Sequence, residues 1–189
     1  MNRNILVALA VIILAIAAFV WFRNRDESPD TSNPAVLGET TSWKSFSDPA
    51  RGVAFKYPET LPTKYIQAVD WPPQAAVATS AYNCTEGGAE SERAGKTEKR
   101  TINGRAYCVT KIIGAAAGST YTQYAYAVEK GGKTVILTFS IRTPQCANYD
   151  EPQKSECQSE VASFSVDNLV DSIVDTLELG TPTLDYDKG

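Results

Sequence analysis

The chain has 189 residues, 43% of them hydrophobic and 10% aromatic, and a net charge of −4, which fits one domain with enough apolar sequence to bury a core. Its Lys and Arg residues form no basic tract, so it lacks the clustered cations that release counterions from a phosphate backbone, and nucleic acid is set aside as a partner. It has no histidine, which excludes Ser-His and Cys-His nucleophiles, His-ligated zinc or haem, and the side chain that ordinarily titrates near neutral pH.

Residues 1–4 form a short N-terminus, expected on the cytoplasmic side, before an unbroken apolar run from Ile5 to Phe22. At roughly 1.5 Å per residue this run makes about 27 Å of helix, close to the ~30 Å hydrocarbon thickness of a bilayer. Trp21 and Phe22 stand at its far end, where aromatic rings settle at the headgroup level. Ala15-Ile16-Ala17 fits a signal-peptide cleavage site. The run nevertheless stays apolar through Ala18-Phe19-Val20-Trp21-Phe22, so a retained single-pass anchor in the lipid bilayer is predicted. Arg3 on one flank nearly balances Arg23 and Arg25 on the other, so flank charge does not orient it. Residues 23–41, with Pro29, Pro34 and few large apolar side chains, read as a flexible linker.

An extracytoplasmic domain is expected over residues 42–179. Val53, Phe55 and Tyr57 alternate with Ala54 and Lys56, the period of a strand with one face buried, and Pro58 stops it. Tyr65 to Val69 forms a second strand candidate ended by Trp71-Pro72-Pro73, and Tyr107 to Ile113 a third. Between them, Glu86, Glu90, Glu92 and Glu98 mix with Arg93, Lys96, Lys99 and Arg100, which reads as a solvated loop. Gly114-Ala115-Ala116-Ala117-Gly118-Ser119-Thr120 reads as a tight connection between strands, or else as an anion-binding turn offering Ser119 and Thr120. Thr120, Thr122, Tyr124, Tyr126 and Val128 alternate, as do Val135, Leu137, Phe139 and Ile141, and Glu129-Lys130-Gly131-Gly132-Lys133 between them suits an antiparallel hairpin.

Cys84, Cys108, Cys146 and Cys157 leave gaps of 23, 37 and 10 residues, none of which is metal-ligand or C-x-x-C spacing. Four cysteines in an exported domain read as two disulfides, which places the domain outside the cytoplasm. Of the three connectivities, Cys84–Cys108 and Cys146–Cys157 are preferred because each staples a polar excursion. After Asp167 the period changes: Leu169, Ile173 and Leu177 recur every four residues beside Val170 and Val174, with Asp171 and Asp175 on the polar side. Asp167 is the expected cap of this amphipathic helix, Gly180 and Pro182 mark its stop, and residues 180–189 read as a polar tail. The expectation is an α+β fold, a largely antiparallel sheet covered by helices and preceded by one transmembrane helix.

The opening Phe46-Ser47-Asp48-Pro49-Ala50-Arg51-Gly52-Val53-Ala54-Phe55-Lys56-Tyr57-Pro58 and the closing Val166-Asp167-Asn168-Leu169-Val170-Asp171-Ser172-Ile173-Val174-Asp175-Thr176-Leu177 together resemble the two ends of PsbP-like domains. That superfamily includes extrinsic subunits of the photosystem oxygen-evolving complex and a Ran-binding nuclear import factor. The resemblance implies an α/β/α sandwich that acts by docking to other proteins, with no catalytic residue to carry over. The four cysteines and the anchor depart from the pattern.

No catalytic residue, metal ligand or cofactor is assigned. Tyr65, Trp71, Gly114, Gly118 and Ser119 are the candidate binding surface, Trp and Tyr being favoured in binding hot spots; for Trp71 the alternative is a plug at the sheet edge. The expected function is a membrane-tethered envelope module, single-pass, that binds or organises a protein partner. The alternatives are a His-independent carboxylate hydrolase acting on envelope carbohydrate and a small-ligand sensor. An enzyme would gather carboxylates in a cleft, a docking module would expose an apolar or aromatic patch, and a sensor would enclose an apolar cavity.

Overall fold

The computed structural model describes residues 42–182; the predicted anchor 5–22, the linker 23–41 and positions 183–189 lie outside the described residues. Among the described residues no helix is long and apolar enough to cross a membrane. The elements in chain order are β1 (Trp43–Asp48), β2 (Val53–Pro58), β3 (Gln67–Ala78), β4 (Lys96–Ile102), β5 (Arg105–Ala116), β6 (Ser119–Lys130), β7 (Lys133–Pro144), a 3-10 turn (Cys146–Asn148), α1 (Gln153–Ser163), α2 (Val166–Asp175) and β8 (Glu178–Leu179). Two sheets form, one ordered β1-β2-β8 and the other β3-β7-β6-β5-β4, and every strand pairing is antiparallel. The domain is α+β, as its two sequence periods predict.

The expected hairpin forms with Lys130 opposite Lys133 and Tyr126 opposite Leu137. Gly131 (φ 57) and Gly132 (φ 74) close it, and a two-residue turn with both φ positive matches the twist of the flanking strands. The small-residue stretch is likewise a connection: β5 continues to Ala116, and Ala117-Gly118 turns the chain into β6 at Ser119.

Two of the expected strand boundaries differ. The second strand does not end at Trp71-Pro72-Pro73; β3 passes through it to Ala78. Proline lacks the N–H a central strand needs, but β3 is an edge strand, and register shifts between Ala68 and Asp70 and between Asp70 and Gln74 absorb the missing donors. The charged segment is not all loop, because Lys96 to Ile102 pairs along β5 from Lys111 to Arg105. Glu86 helps to cover the outer edge of this strand by accepting from the Lys99 N–H at 2.8 Å. Gly87 and Thr97 exchange backbone bonds of 3.0 and 2.8 Å there.

Helix α1 is absent from the sequence reading, since its only buried residue is Cys157 and it has no apolar stripe to detect. Helix α2 follows the predicted stripe: Leu169, Val170, Ile173 and Val174 are all fully buried. Its cap is Ser165 rather than Asp167, with Ser165 Oγ accepting from the Asn168 N–H at 3.2 Å. Asp171, read as a solvent-facing position, is buried at 4% exposure. The core is threaded by ring contacts from Phe46 through Phe55, Tyr57, Trp71, Phe139 and Tyr126 to Tyr107, which tie the two sheets together. Gly180, where the polar tail was expected to begin, still donates to the Gly52 carbonyl at 2.9 Å.

Candidate functional site

Alternation along β5 separates two environments. Tyr107 and Val109 point inward and are fully buried, whereas Cys108, Thr110 and Ile112 point to the opposite face. On the inner face α2 meets a charged seam. Arg100 donates to Asp167 at 2.9 and 3.0 Å and also pairs with Glu98. Arg105 reaches Asp171 at 2.5 Å and Asp175 at 2.6 Å, and the Tyr107 hydroxyl donates to Asp171. Burial, reinforced by the Asp167 carboxylate that accepts its hydroxyl at 2.5 Å, pushes the Tyr126 phenol far above its ordinary value. Tyr107 is raised in the same way by burial and by Asp171, against Arg105. The Arg100 guanidinium, with Lys96, holds the Glu98 carboxyl below the usual range. These acids are matched to cations or phenols and make a structural seam between helix and sheet.

The outer face is different. The disulfide Cys84–Cys108 brings the chain before β4 onto it, at the row where Cys108, Ala127 and Ile136 stand opposite one another. The next two rows stay open. Gln74, Thr138, Ala125 and Thr110 form one, and Asp70, Ser140, Gln123 and Ile112 the other. Together they line a groove of about 350 Å³, at the small end of the ~300–1,000 Å³ typical of ligand sites. Within the described residues, Asp70, Gln74, Gln123, Thr138 and Ser140 have no side-chain hydrogen-bond partner, while Thr110 shares its hydroxyl with Thr97 at 2.8 Å. Arg142, a cation on the same face, is engaged by Gln67 Oε1 at 3.0 Å.

The disulfides form in the preferred pairing, Cys84–Cys108 and Cys146–Cys157. The candidate binding-surface residues fall in different settings. Tyr65 is buried, its hydroxyl donating to Glu156 at 2.8 Å. Trp71 is the sheet-edge plug, with Nε1 donating to the Pro58 carbonyl at 2.8 Å and its ring against Phe139. Gly114 is exposed near the end of β5, Gly118 lies in the turn, and Ser119 is buried at 1% exposure with its Oγ unpartnered. The exposed large apolar side chains among the described residues, Val69, Ile113 and Val161, lie on β3, β5 and α1 and make no common patch. The groove residues were missed. Their signal is the polar alternate set of three strands whose other set is apolar. Among the described residues no group of three His, Cys, Asp or Glu side chains is placed to hold a metal ion.

No family model matches the chain, and none of the curated proteins is similar to it. A solved structure from Bacteroides thetaiotaomicron VPI-5482 is similar to it at 14% identity and a TM-score of 0.36, over 73% of this chain and 48% of that one. The chain thus spans about half the length of that protein.

Proposed function

We propose that the chain is a membrane-tethered, non-enzymatic module displayed outside the cytoplasm, which helps to organise the envelope by docking a partner on the outer face of its five-stranded sheet. One observation carries this reading: the convergence of five uncommitted polar side chains, Asp70, Gln74, Gln123, Thr138 and Ser140, in a single groove on that face. Glycoside hydrolysis needs two carboxylates about 5–10 Å apart, and the groove is lined by one, Asp70. The two disulfides support a location beyond the reducing cytoplasm, and the Ile5–Phe22 run supports the tether. The PsbP-like resemblance belongs to the same proposal. It implies layers on both sides of a sheet; here α2 covers one, and the other side is given to the partner.

Protease added to spheroplasts tests the topology. The expected result is loss of the domain with a membrane-embedded fragment left behind, and oxidised cysteines in cells alkylated before lysis. Recovery of an intact, fully reduced domain in the cytosolic fraction would overturn it.

A further inference from the structure

We infer that the outer groove is a binding site for a neutral glycan, the ligand being a short stretch of uncharged sugar rings. The inference rests on the docking proposal and gives its partner a chemistry.

The lining sets the class. Two primary amides, Gln74 and Gln123, two free hydroxyls, Thr138 and Ser140, and one carboxylate, Asp70, face the same space. Amides and hydroxyls both donate and accept, and a carboxylate accepts twice. That mixture complements vicinal hydroxyls, each of which is itself a donor and an acceptor. No Lys or Arg lines the groove, so a phosphate, sulfate or uronate within it would meet Asp70 with no cation among the lining residues, Arg142 lying one row beyond the end and bonded to Gln67. Ile112 and Ala125 supply the small apolar surface over which the C–H face of a ring can lie. Tyr121, two residues from Gln123 on the same face and opposite Arg142, extends that surface beyond one end.

The backbone beneath the site is also pre-organised. Its rows sit on strands β3, β7, β6 and β5 held in one antiparallel ladder, and the Cys84–Cys108 bridge pins the segment that covers the neighbouring row. Rigid placement lowers the ordering cost that would otherwise consume the weak affinity of a neutral ligand. An extended peptide is the competing occupant. The outer edge of β4 is partly covered by Glu86 and Gly87, and the free edge of β3 bounds the groove rather than flooring it, so the side-chain lining favours the sugar.

The test is isothermal titration of the full chain in a detergent without a sugar headgroup. The probes are cellotetraose, maltotetraose, mannotetraose and chitotetraose, with tetragalacturonate as the charged counterpart. At least one neutral tetrasaccharide is expected to saturate with a Kd of about 1 mM or tighter, more tightly than tetragalacturonate. Thr138→Trp, at an exposed groove position, should weaken it by about tenfold or more, and Gln123→Ala should weaken it too. Val161→Ala, on α1, should leave it unchanged, and unaltered circular dichroism of all variants shows that the fold is kept. Absence of saturation by every neutral probe, or binding indifferent to Thr138→Trp, overturns the inference. So does a preference for an uncharged Gly-Ser-Asn-repeat peptide that Thr138→Trp abolishes, although that outcome would leave the docking role standing. The cytosolic, reduced domain that defeats the docking role is read in a different experiment.

Discussion

Asp171 of α2 and Arg105 of β5 meet across the inner face of the large sheet, Nη1 lying 2.5 Å from Oδ1. The carboxylate also accepts from Asn103 at 2.8 Å and from the Tyr107 hydroxyl, so a side chain at 6% exposure is matched on both oxygens.

Removing Asp171 leaves the fully buried Tyr107 hydroxyl and the Asn103 amide without their acceptor, while Arg105, 32% exposed, keeps Asp175. Asp171→Ala is therefore expected to destabilise the domain by about 1–3 kcal/mol, the cost of leaving buried donors unsatisfied. Asp175 bonds the same guanidinium at 2.6 Å but is 62% exposed, and Asp175→Ala should cost no more than about 1 kcal/mol. Urea denaturation of the two variants checks the contrast; equal losses would show that the seam does not discriminate by burial.

Alkali should unfold the domain in a tyrosine-dependent way. The Tyr126 and Tyr107 phenols are raised above their ordinary value of 10.0, so the folded state keeps protons that the unfolded chain sheds. Their contribution is fully present below about pH 10 and is lost as pH rises above it. Asp167, Arg100 and Tyr124 are the titratable or charged neighbours of Tyr126. Melting temperature measured from pH 8 to 12 should fall steeply beyond pH 10, and less steeply in Tyr126→Phe.

Loss of Cys84–Cys108, by a paired Cys84→Ser and Cys108→Ser substitution, should cost about 2–4 kcal/mol. Loss of Cys146–Cys157 should act locally. Only Cys157 of α1 is buried, so hydrogen exchange is expected to quicken along Gln153–Ser163 before it quickens in α2. Uniform exchange changes across both helices would count against this.

Ile173 is fully buried on the apolar stripe of α2, and Ile173→Ala is expected to cost about 2–5 kcal/mol. Val161→Ala on the surface of α1 should fall within about 0.5 kcal/mol of the parent. Thermal denaturation distinguishes them.

What could be read from the sequence was whatever a local signal specified. The β6–β7 hairpin was legible because Gly131-Gly132 and the alternation of Val135, Leu137, Phe139 and Ile141 point the same way, and all four of those side chains are buried. The Leu169–Ile173–Leu177 stripe was legible for the same reason. Helix α1 was not, because a disulfide and the Glu156 and Glu160 carboxylates, which accept from Lys64, Tyr65 and Ile66, hold it rather than an apolar face. Pro72 and Pro73 hid the second half of β3, since the rule against proline in strands yields at an edge. Asp171 was misjudged because its partners, Asn103, Arg105 and Tyr107, are more than 60 residues away in sequence. The groove was illegible on the same ground. Gln74, Thr110, Ala125 and Thr138 share a row only after three strand pairings have been set in register, and no single stretch of chain announces them.

Because neighbouring residues of β5 serve opposite faces, that strand is intolerant of insertions and deletions in a way its composition does not suggest. Losing one residue between Arg105 and Thr110 would exchange the two sides: the Cys108 sulfur would turn toward α2 and the Tyr107 phenol toward the segment that carries Cys84, severing covalent and ionic anchors together. The Ala115–Gly118 tip carries neither duty, so an epitope tag grafted there should leave both sides of the sheet in phase.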